Sequence, residues 1–226
     1  FSHIHRPGVA VGGHCIPVYP RFYLAGDPDA TLPAAARAVN EAMPAYAVDL
    51  LGAALGEAGG AGAAARGAGA APGAEAAHAT GAADTAAPAG VGTSAARGDE
   101  GVATALAGRR VLILGAAYRG DVQETAFSGV FALRDALRAA GAVPQVADPL
   151  YDDEQLRALD LHPWDGEPVA GAILQADHAA YRELTPADVP GVRAIVDGRS
   201  ALDVDAWRAA GVIVRRIGRD AVRPTD

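Results

Sequence analysis

The stretch RVLILGAAYRGD, residues 110–121, decides how the second half of the chain is predicted to fold. RVLIL is a short run of large apolar residues, typical of a strand buried on both faces, and it ends in glycine and polar residues. SGVFALRDALRAAG, residues 128–141, follows with apolar residues at helical spacing and a glycine where a helix would stop. A strand followed by a helix is the first half of a βαβ unit.

The same alternation continues to residue 217. Strands are predicted within VPQVAD, VAGAILQAD, VRAIVDG and VIVRRIG, and short helices within DEQLRAL, HAAYREL and DVDAWRAAG. This pattern predicts an α/β fold, a Rossmann-like parallel sheet with helices on both faces. Ligands bind such sheets at the carboxyl ends of the strands. Glycine or polar residues stand at these ends: residues 115–121, Asp148-Pro149, Asp177-His178 and Asp197-Gly198-Arg199.

The overall composition opposes several classes of function. The 226 residues include 27 acidic and 19 basic side chains, for a net charge of -8, whereas a nucleic-acid partner would require clustered Lys and Arg. No run of about 18 apolar residues occurs, so no membrane span is expected. The single cysteine excludes an internal disulfide and indicates a reducing compartment, most simply the cytoplasm.

The first half of the chain is predicted to contain a loop, a helix and a linker. Residues 1–32 are rich in proline and glycine and are predicted as loop. Residues 33–51 show helical spacing, with Pro44 expected to kink or split the helix. Residues 52–103 are almost entirely alanine and glycine, which predicts a disordered insert. The predicted parts are therefore 1–51, 52–103 and 104–226, the last containing the sheet.

Cys15 lies in the amino-terminal loop, directly after two glycines and His14. Glycines allow a ligand to approach the backbone closely, and a thiolate in such a loop could attack a carbonyl carbon. A small buried thiol is the commoner alternative for a lone cysteine. A zinc site with His3, His5 and His14 is a third interpretation, although the usual paired-ligand spacing is missing.

Two arginines directly follow predicted strands, and each could bind an anion. Arg119 lies in LGAAYRGD and Arg199 in DGRS, and a planar guanidinium matches a phosphate or a carboxylate. The alternatives are a solvated side chain for Arg119 and an ordinary turn residue for Arg199. LGAAYRGD lacks the full G-x-G-x-x-G pattern and is a weak dinucleotide fingerprint.

PGVAVGGHCIPVYPRFYL, residues 7–24, resembles the active-site signature of the UDP-glucose/GDP-mannose dehydrogenase family. The resemblance is nearest to the UDP-N-acetyl-D-mannosamine and UDP-N-acetyl-D-glucosamine 6-dehydrogenase branch. ARAVNEAMP and VLILGAAYRGDVQETAFS resemble further patterns of the family, and VADP, ADHAAYREL and IVDGRSAL follow in its order. The resemblance covers all of the chain except the Ala/Gly-rich insert, and it implies the carboxyl-terminal part of such an enzyme.

The resemblance implies an NAD-dependent oxidoreductase that oxidises the C6 alcohol of a UDP-sugar to a carboxylate, within a complete enzyme that is a homodimer. Cys15 corresponds to the nucleophile that forms a thiohemiacetal and then a thioester. Cys15, Ile16, Pro17 and Val18 match the stretch that contacts the nicotinamide. The residues implied to bind the UDP-sugar are Arg6, Gly8, Gly12, Gly13, Tyr118, Arg119 and Arg199.

Several features depart from the family's pattern. Tyr19 stands where the family usually has an aspartate that helps water to cleave the thioester, and a phenol is a poor base at neutral pH. Ala126 replaces an arginine that contacts NAD, and Arg119 replaces a lysine. The family's amino-terminal NAD-binding domain has no counterpart, which implies a truncated enzyme. UDP-glucose as substrate, or a non-catalytic UDP-sugar-binding module, remain alternatives.

Overall fold

The computed structural model describes residues 8–64 and 99–218. Three helices precede the sheet: α1 (Cys15–Gly26), α2 (Thr31–Ala64) and α3 (Asp99–Leu106). The elements that follow are β1 (Arg110–Leu114), α4 (Gly129–Ala139), β2 (Val143–Ala147), α5 (Asp153–Ala158), β3 (Gly171–Leu174), β4 (Ala194–Asp197), α6 (Val204–Ala209) and β5 (Ile213–Arg216). Two short 3-10 helices, Ala179–Glu183 and Pro186–Asp188, connect β3 to β4.

The five strands form one parallel sheet in the order β2-β1-β3-β4-β5, which confirms the predicted α/β fold. The strand order reverses between β1 and β3, since β2 lies on one side of β1 and the later strands lie on the other. Sheets of this kind bind ligands at the carboxyl ends of the strands, where the order reverses. The functional site is therefore expected beside the residues that follow β1 and β3.

Side chains of β1 alternate between the two faces of the sheet. Val111 and Ile113 pack with α2 and α4 on one face. Leu112 and Leu114 pack with Trp207 of α6 on the other face. All of these side chains are almost completely buried. Burial on both faces explains why RVLIL is apolar at every position after the arginine.

Helix α2 corrects the predicted boundaries of the insert. It continues through Pro44 as one helix, where a split was one of the predicted outcomes, and it extends to Ala64, inside the segment predicted to be disordered. Leu51, Ala54 and Leu55 are buried against the sheet, so tertiary packing outweighs the low helix propensity of the neighbouring glycines. Helix α3 also begins within the predicted insert, at Asp99. The remainder, residues 65–98, lies outside the described residues.

Helix α1 occupies part of the segment predicted as loop, so that prediction is wrong for residues 15–26. Pro17 lies in the first turn, where backbone amides have no acceptor within the helix, and its missing N–H therefore costs nothing. The Arg37 guanidinium of α2 donates to the Pro17 carbonyl at 2.8 Å and holds this turn from outside. None of the helices described here combines the length and apolarity needed to cross a membrane.

Candidate active site

Residues 8–14, called the cysteine loop below, cross the carboxyl end of the sheet. Val9 is fully buried there and packs so closely on Gly198, after β4, that a Cβ on this glycine would lie 2.6 Å from Val9 Cγ2. The Gly13 amide donates to the Ala126 carbonyl, in the loop between β1 and α4, at 2.8 Å. The cysteine loop is thereby docked at the place where the strand order reverses.

Both glycines that precede His14 and Cys15 are required by the close approach of the β1–α4 loop. A Cβ on Gly12 would lie 2.6 Å from the Phe127 carbonyl oxygen and 2.7 Å from Tyr118 Cβ. Gly13 has a φ of +87°, and a Cβ there would lie 3.1 Å from the Tyr118 ring. The glycine pair therefore lets the backbone lie directly against Tyr118.

Helix α2 clamps the cysteine loop through one asparagine. Asn40 Oδ1 accepts the Val11 amide at 2.8 Å, and Asn40 Nδ2 donates to the Val11 carbonyl at 3.3 Å. Asn40 belongs to ARAVNEAMP, so the segment that resembles the family's helix pattern here has a direct structural role. The loop is consequently attached to α2 as well as to the sheet.

Arg199 ties three segments together at the carboxyl end of the sheet. Its Nε donates to the Gln175 carbonyl at 2.6 Å, and its Nη2 lies 3.2 Å from the Tyr118 carbonyl and 3.4 Å from the Ala10 carbonyl. The residue is only 9% exposed. Burial lowers the pKa of its guanidinium, and the neighbouring Asp177 carboxylate opposes that shift. Arg199 thus joins the ends of β1 and β3 to the cysteine loop, and Gly8 packs against the same guanidinium.

Tyr118 and Arg119 are the side chains that the β1–α4 loop presents at this end of the sheet. Tyr118 is half-buried beneath the cysteine loop. Arg119 is exposed, with its guanidinium carbon 5.7 Å from the centre of the Tyr118 ring. An exposed guanidinium over an aromatic face can accept an anion while it remains oriented by the ring.

Asp148 binds the backbone that directly follows β1. Its Oδ2 accepts the amides of Ala116 and Ala117 at 2.7 and 3.1 Å, and its Oδ1 accepts the Leu150 amide at 2.8 Å. Burial by itself raises the pKa of Asp148, but hydrogen bonds from His178 and the backbone outweigh it and hold the pKa below its ordinary value. These amides are already bonded within the protein, so the turn after β1 does not fit a dinucleotide pyrophosphate, which needs free amides.

His178 is the buried partner of Asp148. Its Nε2 lies 3.0 Å from Asp148 Oδ2, and both side chains are completely buried. The Asp121 amide donates to Nδ1 at 3.0 Å, which makes Nδ1 an acceptor and leaves the ring proton on Nε2, where it is donated to Asp148. The ring also stands edge-on to Tyr181 at a centroid distance of 5.5 Å. This pair follows β2 and β3, the two neighbours of β1.

Cys15 is the first residue of α1, and its side chain is exposed, which rules out the buried-thiol alternative. His14, directly before it, is also exposed, and its Nε2 lies 3.5 Å from Glu124 Oε2. A hydrogen bond from the Ala126 amide and the contact with His14 hold the pKa of Glu124 below its ordinary value. The residue directly before the accessible thiol is therefore a histidine that contacts a carboxylate.

The first turn of α1 contains the residues predicted to meet a nicotinamide: Cys15, Ile16, Pro17 and Val18. Ile16 is 46% exposed, so this turn presents an apolar side chain next to the cysteine in sequence. Among the residues the structure describes, no group of three or more His, Cys, Asp or Glu side chains is placed to hold a metal ion. His3, His5 and Arg6 lie outside the described residues.

The comparisons with known proteins agree with this architecture. No protein-family model matches the chain. A UDP-N-acetyl-D-mannosamine dehydrogenase of Methanococcus maripaludis is 23% identical over 229 residues, which cover 96% of this chain and 42% of the relative. A second UDP-N-acetyl-D-mannosamine dehydrogenase, of Pyrococcus horikoshii, is 48% identical over 56 residues, which cover 24% of this chain and 13% of the relative.

A solved UDP-D-ManNAc dehydrogenase from Pyrococcus horikoshii matches the fold with a TM-score of 0.63 and 23% identity, covering 98% of this chain and 42% of that one. The homologues of the chain are nucleotide-sugar dehydrogenases. A UDP-glucose dehydrogenase from Pyrobaculum islandicum has a TM-score of 0.55 and 20% identity, covering 92% and 38% of the two chains. The chain spans less than half the length of these nucleotide-sugar dehydrogenases and matches their carboxyl-terminal part, which confirms the predicted resemblance.

The residues predicted for the site differ in how the structure places them. Gly12 and Gly13 pack against Tyr118, the exposed Arg119 guanidinium lies over the Tyr118 ring, and Cys15 is exposed. Gly8 and Arg199 also pack together, but the guanidinium is buried among main-chain carbonyls. The sequence analysis placed Asp148 and His178 at the carboxyl ends of predicted strands but missed the buried Asp148–His178 pair. The signal in the sequence was that Asp148 and His178 each come shortly after a predicted strand. Only the strand order, which places β2 and β3 on either side of β1, makes the two residues neighbours.

Proposed function

We propose that the chain is the part of an NAD-dependent nucleotide-sugar 6-dehydrogenase that carries the catalytic cysteine and the UDP-sugar-binding domain, residues 104–226. The observation that carries this proposal is the docking of the cysteine loop at the reversal of the strand order, where Gly12 and Gly13 pack against Tyr118 and an exposed thiol follows two residues later. The substrate class is a UDP-N-acetylhexosamine, because most of the relatives are named UDP-N-acetyl-D-mannosamine dehydrogenases. UDP-glucose is the alternative substrate.

In this proposal Arg119 contacts the anionic diphosphate of the substrate, and Tyr118 packs beside it. Arg119 is exposed at the carboxyl end of a parallel strand, where such sheets place ligands, and its guanidinium can donate bidentately to phosphate oxygens. Gly8, Gly12 and Gly13 bring backbone close to the sugar, and Arg6 belongs to the same set. Arg199 supports the site by holding the carbonyls of Tyr118 and Ala10 together.

Cys15 is the proposed nucleophile. Its thiolate adds to the carbonyl carbon of the C6 aldehyde, a C–S bond forms, and the carbonyl oxygen takes a proton. After the second oxidation, water adds to the thioester carbon, the C–S bond breaks with its electrons returning to sulfur, and the uronate leaves. When bound, NAD supplies the hydride acceptor for both oxidations, and Ile16, Pro17 and Val18 would contact its nicotinamide ring. A free thiol with this role requires a reducing compartment, which supports a cytoplasmic location.

A homodimer of the complete enzyme is part of the same proposal. Large apolar side chains are exposed on α1 and on the first half of α2, and such a surface is typical of a contact with further protein. Their exposed fractions range from 59% to 80%: Tyr19, Phe22, Tyr23, Leu32 and Val39.

A non-catalytic UDP-sugar-binding module is the second candidate. It is favoured by Tyr19, which stands where the family has an aspartate that helps water to cleave the thioester. We expect the purified chain alone to produce no NADH from any UDP-sugar, whereas a complete enzyme that contains it should produce uronate unless Cys15 is replaced by serine.

The single cysteine allows a direct test on the chain itself. We expect UDP-N-acetylmannosamine to slow the alkylation of Cys15 by iodoacetamide, measured by mass spectrometry, because the bound sugar covers the thiol. Arg119→Met should weaken this protection about tenfold to a hundredfold in ligand concentration, since a charge-assisted hydrogen bond contributes about 1.5–3 kcal/mol. Arg138→Met, which removes the same charge from the far end of α4, is the matched control. Alkylation unaffected by saturating UDP-sugar would refute the proposed site.

A further inference from the structure

We propose that Asp148 and His178 are positioning residues that hold the β1–α4 loop in the shape that presents Tyr118 and Arg119 to the substrate. The identity of the ligand rests on the function proposed above, whereas the holding of the loop follows from contacts within the chain. The ring of His178 and the carboxylate of Asp148 are completely buried, so neither can contact the substrate itself.

The pair binds the loop on both sides of the two presented side chains. Asp148 Oδ2 holds the amides of Ala116 and Ala117, which come before Tyr118. His178 Nδ1 holds the amide of Asp121, which comes after Arg119. His178 Nε2 lies 3.0 Å from Asp148 Oδ2, so the two attachments to the loop meet beside the ends of β2 and β3.

Asp121 marks a turn at this end of the loop. Its φ is +58°, in the left-handed region, which aspartate adopts more readily than most other residues with a Cβ. The Asp121 side chain accepts the Ala179 amide at 2.9 Å, so His178 and its neighbour together make two hydrogen bonds to this residue. The preceding Gly120 amide donates to Asp177 Oδ1 at 3.1 Å. The last part of the loop therefore depends on the segment that follows β3.

Two substitutions of His178 separate its two hydrogen bonds. Asparagine places an oxygen on Cγ, where Nδ1 stands in histidine, so His178→Asn keeps an acceptor for the Asp121 amide and loses the donor to Asp148. Glutamine places its amide one bond further out, near the position of Nε2, so His178→Gln keeps the donor and loses the acceptor. Both variants leave a similar cavity, and we expect similar losses of folding stability.

The measurements are UDP affinity by calorimetry and backbone amide exchange by NMR, both on the full 226-residue chain. We expect His178→Gln to weaken UDP binding about tenfold and to accelerate exchange of the Asp121 amide about tenfold, because the loop is released on one side. His178→Asn should keep both quantities within about threefold of the unsubstituted chain. The ring nitrogen shifts of His178 should identify Nδ1 as the acceptor and Nε2 as the nitrogen that donates to Asp148.

Trp207→Phe is the control for stability alone. This buried indole donates to the Leu184 carbonyl in the core on the α6 face of the sheet and does not contact the loop. We expect it to lower the unfolding midpoint without changing UDP affinity. Affinities that follow the unfolding midpoints of all three variants, or equal affinities for the two His178 variants, would overturn the positioning role.

The two proposals can fail separately. If UDP does not bind the unsubstituted chain, the proposed function and the ligand part of this inference are both refuted. The amide exchange of Asp121 needs no ligand, and equal exchange rates in the two His178 variants would refute the holding of the loop even if UDP binds.

Discussion

Replacing Arg199 and Arg119 in turn distinguishes a residue that supports the site from one that is proposed to bind the ligand. Replacing Arg199 with methionine keeps much of the side-chain volume and removes every donor. The carbonyls of Gln175, Tyr118 and Ala10 then lose their bonds of 2.6, 3.2 and 3.4 Å. The third distance is longer than a good hydrogen bond, so only the first two bonds are counted.

The expected loss of stability follows from those two bonds. A hydrogen bond to a charged group contributes about 1.5–3 kcal/mol, and part of the sum is returned because a buried cation no longer has to be desolvated. We therefore expect Arg199→Met to lower the free energy of unfolding by about 2–4 kcal/mol. Arg199→Lys should lose about half as much, because an ammonium still donates to one carbonyl but cannot span carbonyls on three segments.

Urea unfolding followed by tryptophan fluorescence measures this loss, and Arg119→Met is the matched control. Arg119 is exposed, so its replacement should change the free energy of unfolding by no more than about 0.5 kcal/mol. UDP titration should show a different effect from urea unfolding: Arg119→Met should weaken UDP binding although its free energy of unfolding is unchanged. An unfolding midpoint for Arg199→Met equal to that of Arg119→Met would show that the buried guanidinium does not tie the three segments together.

Three further perturbations test the supports of the site. Gly12→Ala should undock the cysteine loop, because its Cβ would lie 2.6 Å from a carbonyl oxygen, and thermal unfolding should show a loss of about 1–3 kcal/mol in the free energy of unfolding. Gly56→Ala in α2 is the control: its Cβ would meet nothing within 4 Å, and the substitution should raise the free energy of unfolding by about 0.5–1 kcal/mol. The pKa of Asp148 is lowered from 3.8, so its stabilisation is complete above about pH 4 and is lost as the pH falls through the lower folded value. Asp148→Asn should therefore flatten the acid limb of a plot of unfolding free energy against pH, and an unchanged limb would argue against this assignment. Asn40→Asp keeps the acceptor for the Val11 amide but sets a carboxylate against the Val11 carbonyl, so urea unfolding should show a loss of about 1 kcal/mol, and none would exclude the clamp.

The glycines and the cysteine of GGHC could be singled out from sequence, and the structure explains their spacing. The motif indicated a close approach of backbone, but not to which element. Tyr118 and Phe127 are more than a hundred positions further along the chain, and their contact with Gly12 depends on how α2 and the sheet pack. The motif did not predict α1, because sequence alone does not distinguish a proline in the first turn of a helix from a proline in a loop.

The alternation of strands and helices from residue 110 onward was determined largely by local sequence, because the strands are short apolar runs and α4 and α6 are each followed by a glycine, Gly141 and Gly211. Only the tertiary structure decided that β2 and β3 flank β1, and hence that Asp148 and His178 meet across its end. It also decided that Arg199 is buried among carbonyls while Arg119 remains exposed, although both follow strands in similar polar turns. The physical reason is that burial and partner choice depend on which segments pack together across long sequence separations, and the cysteine loop covers one arginine but not the other.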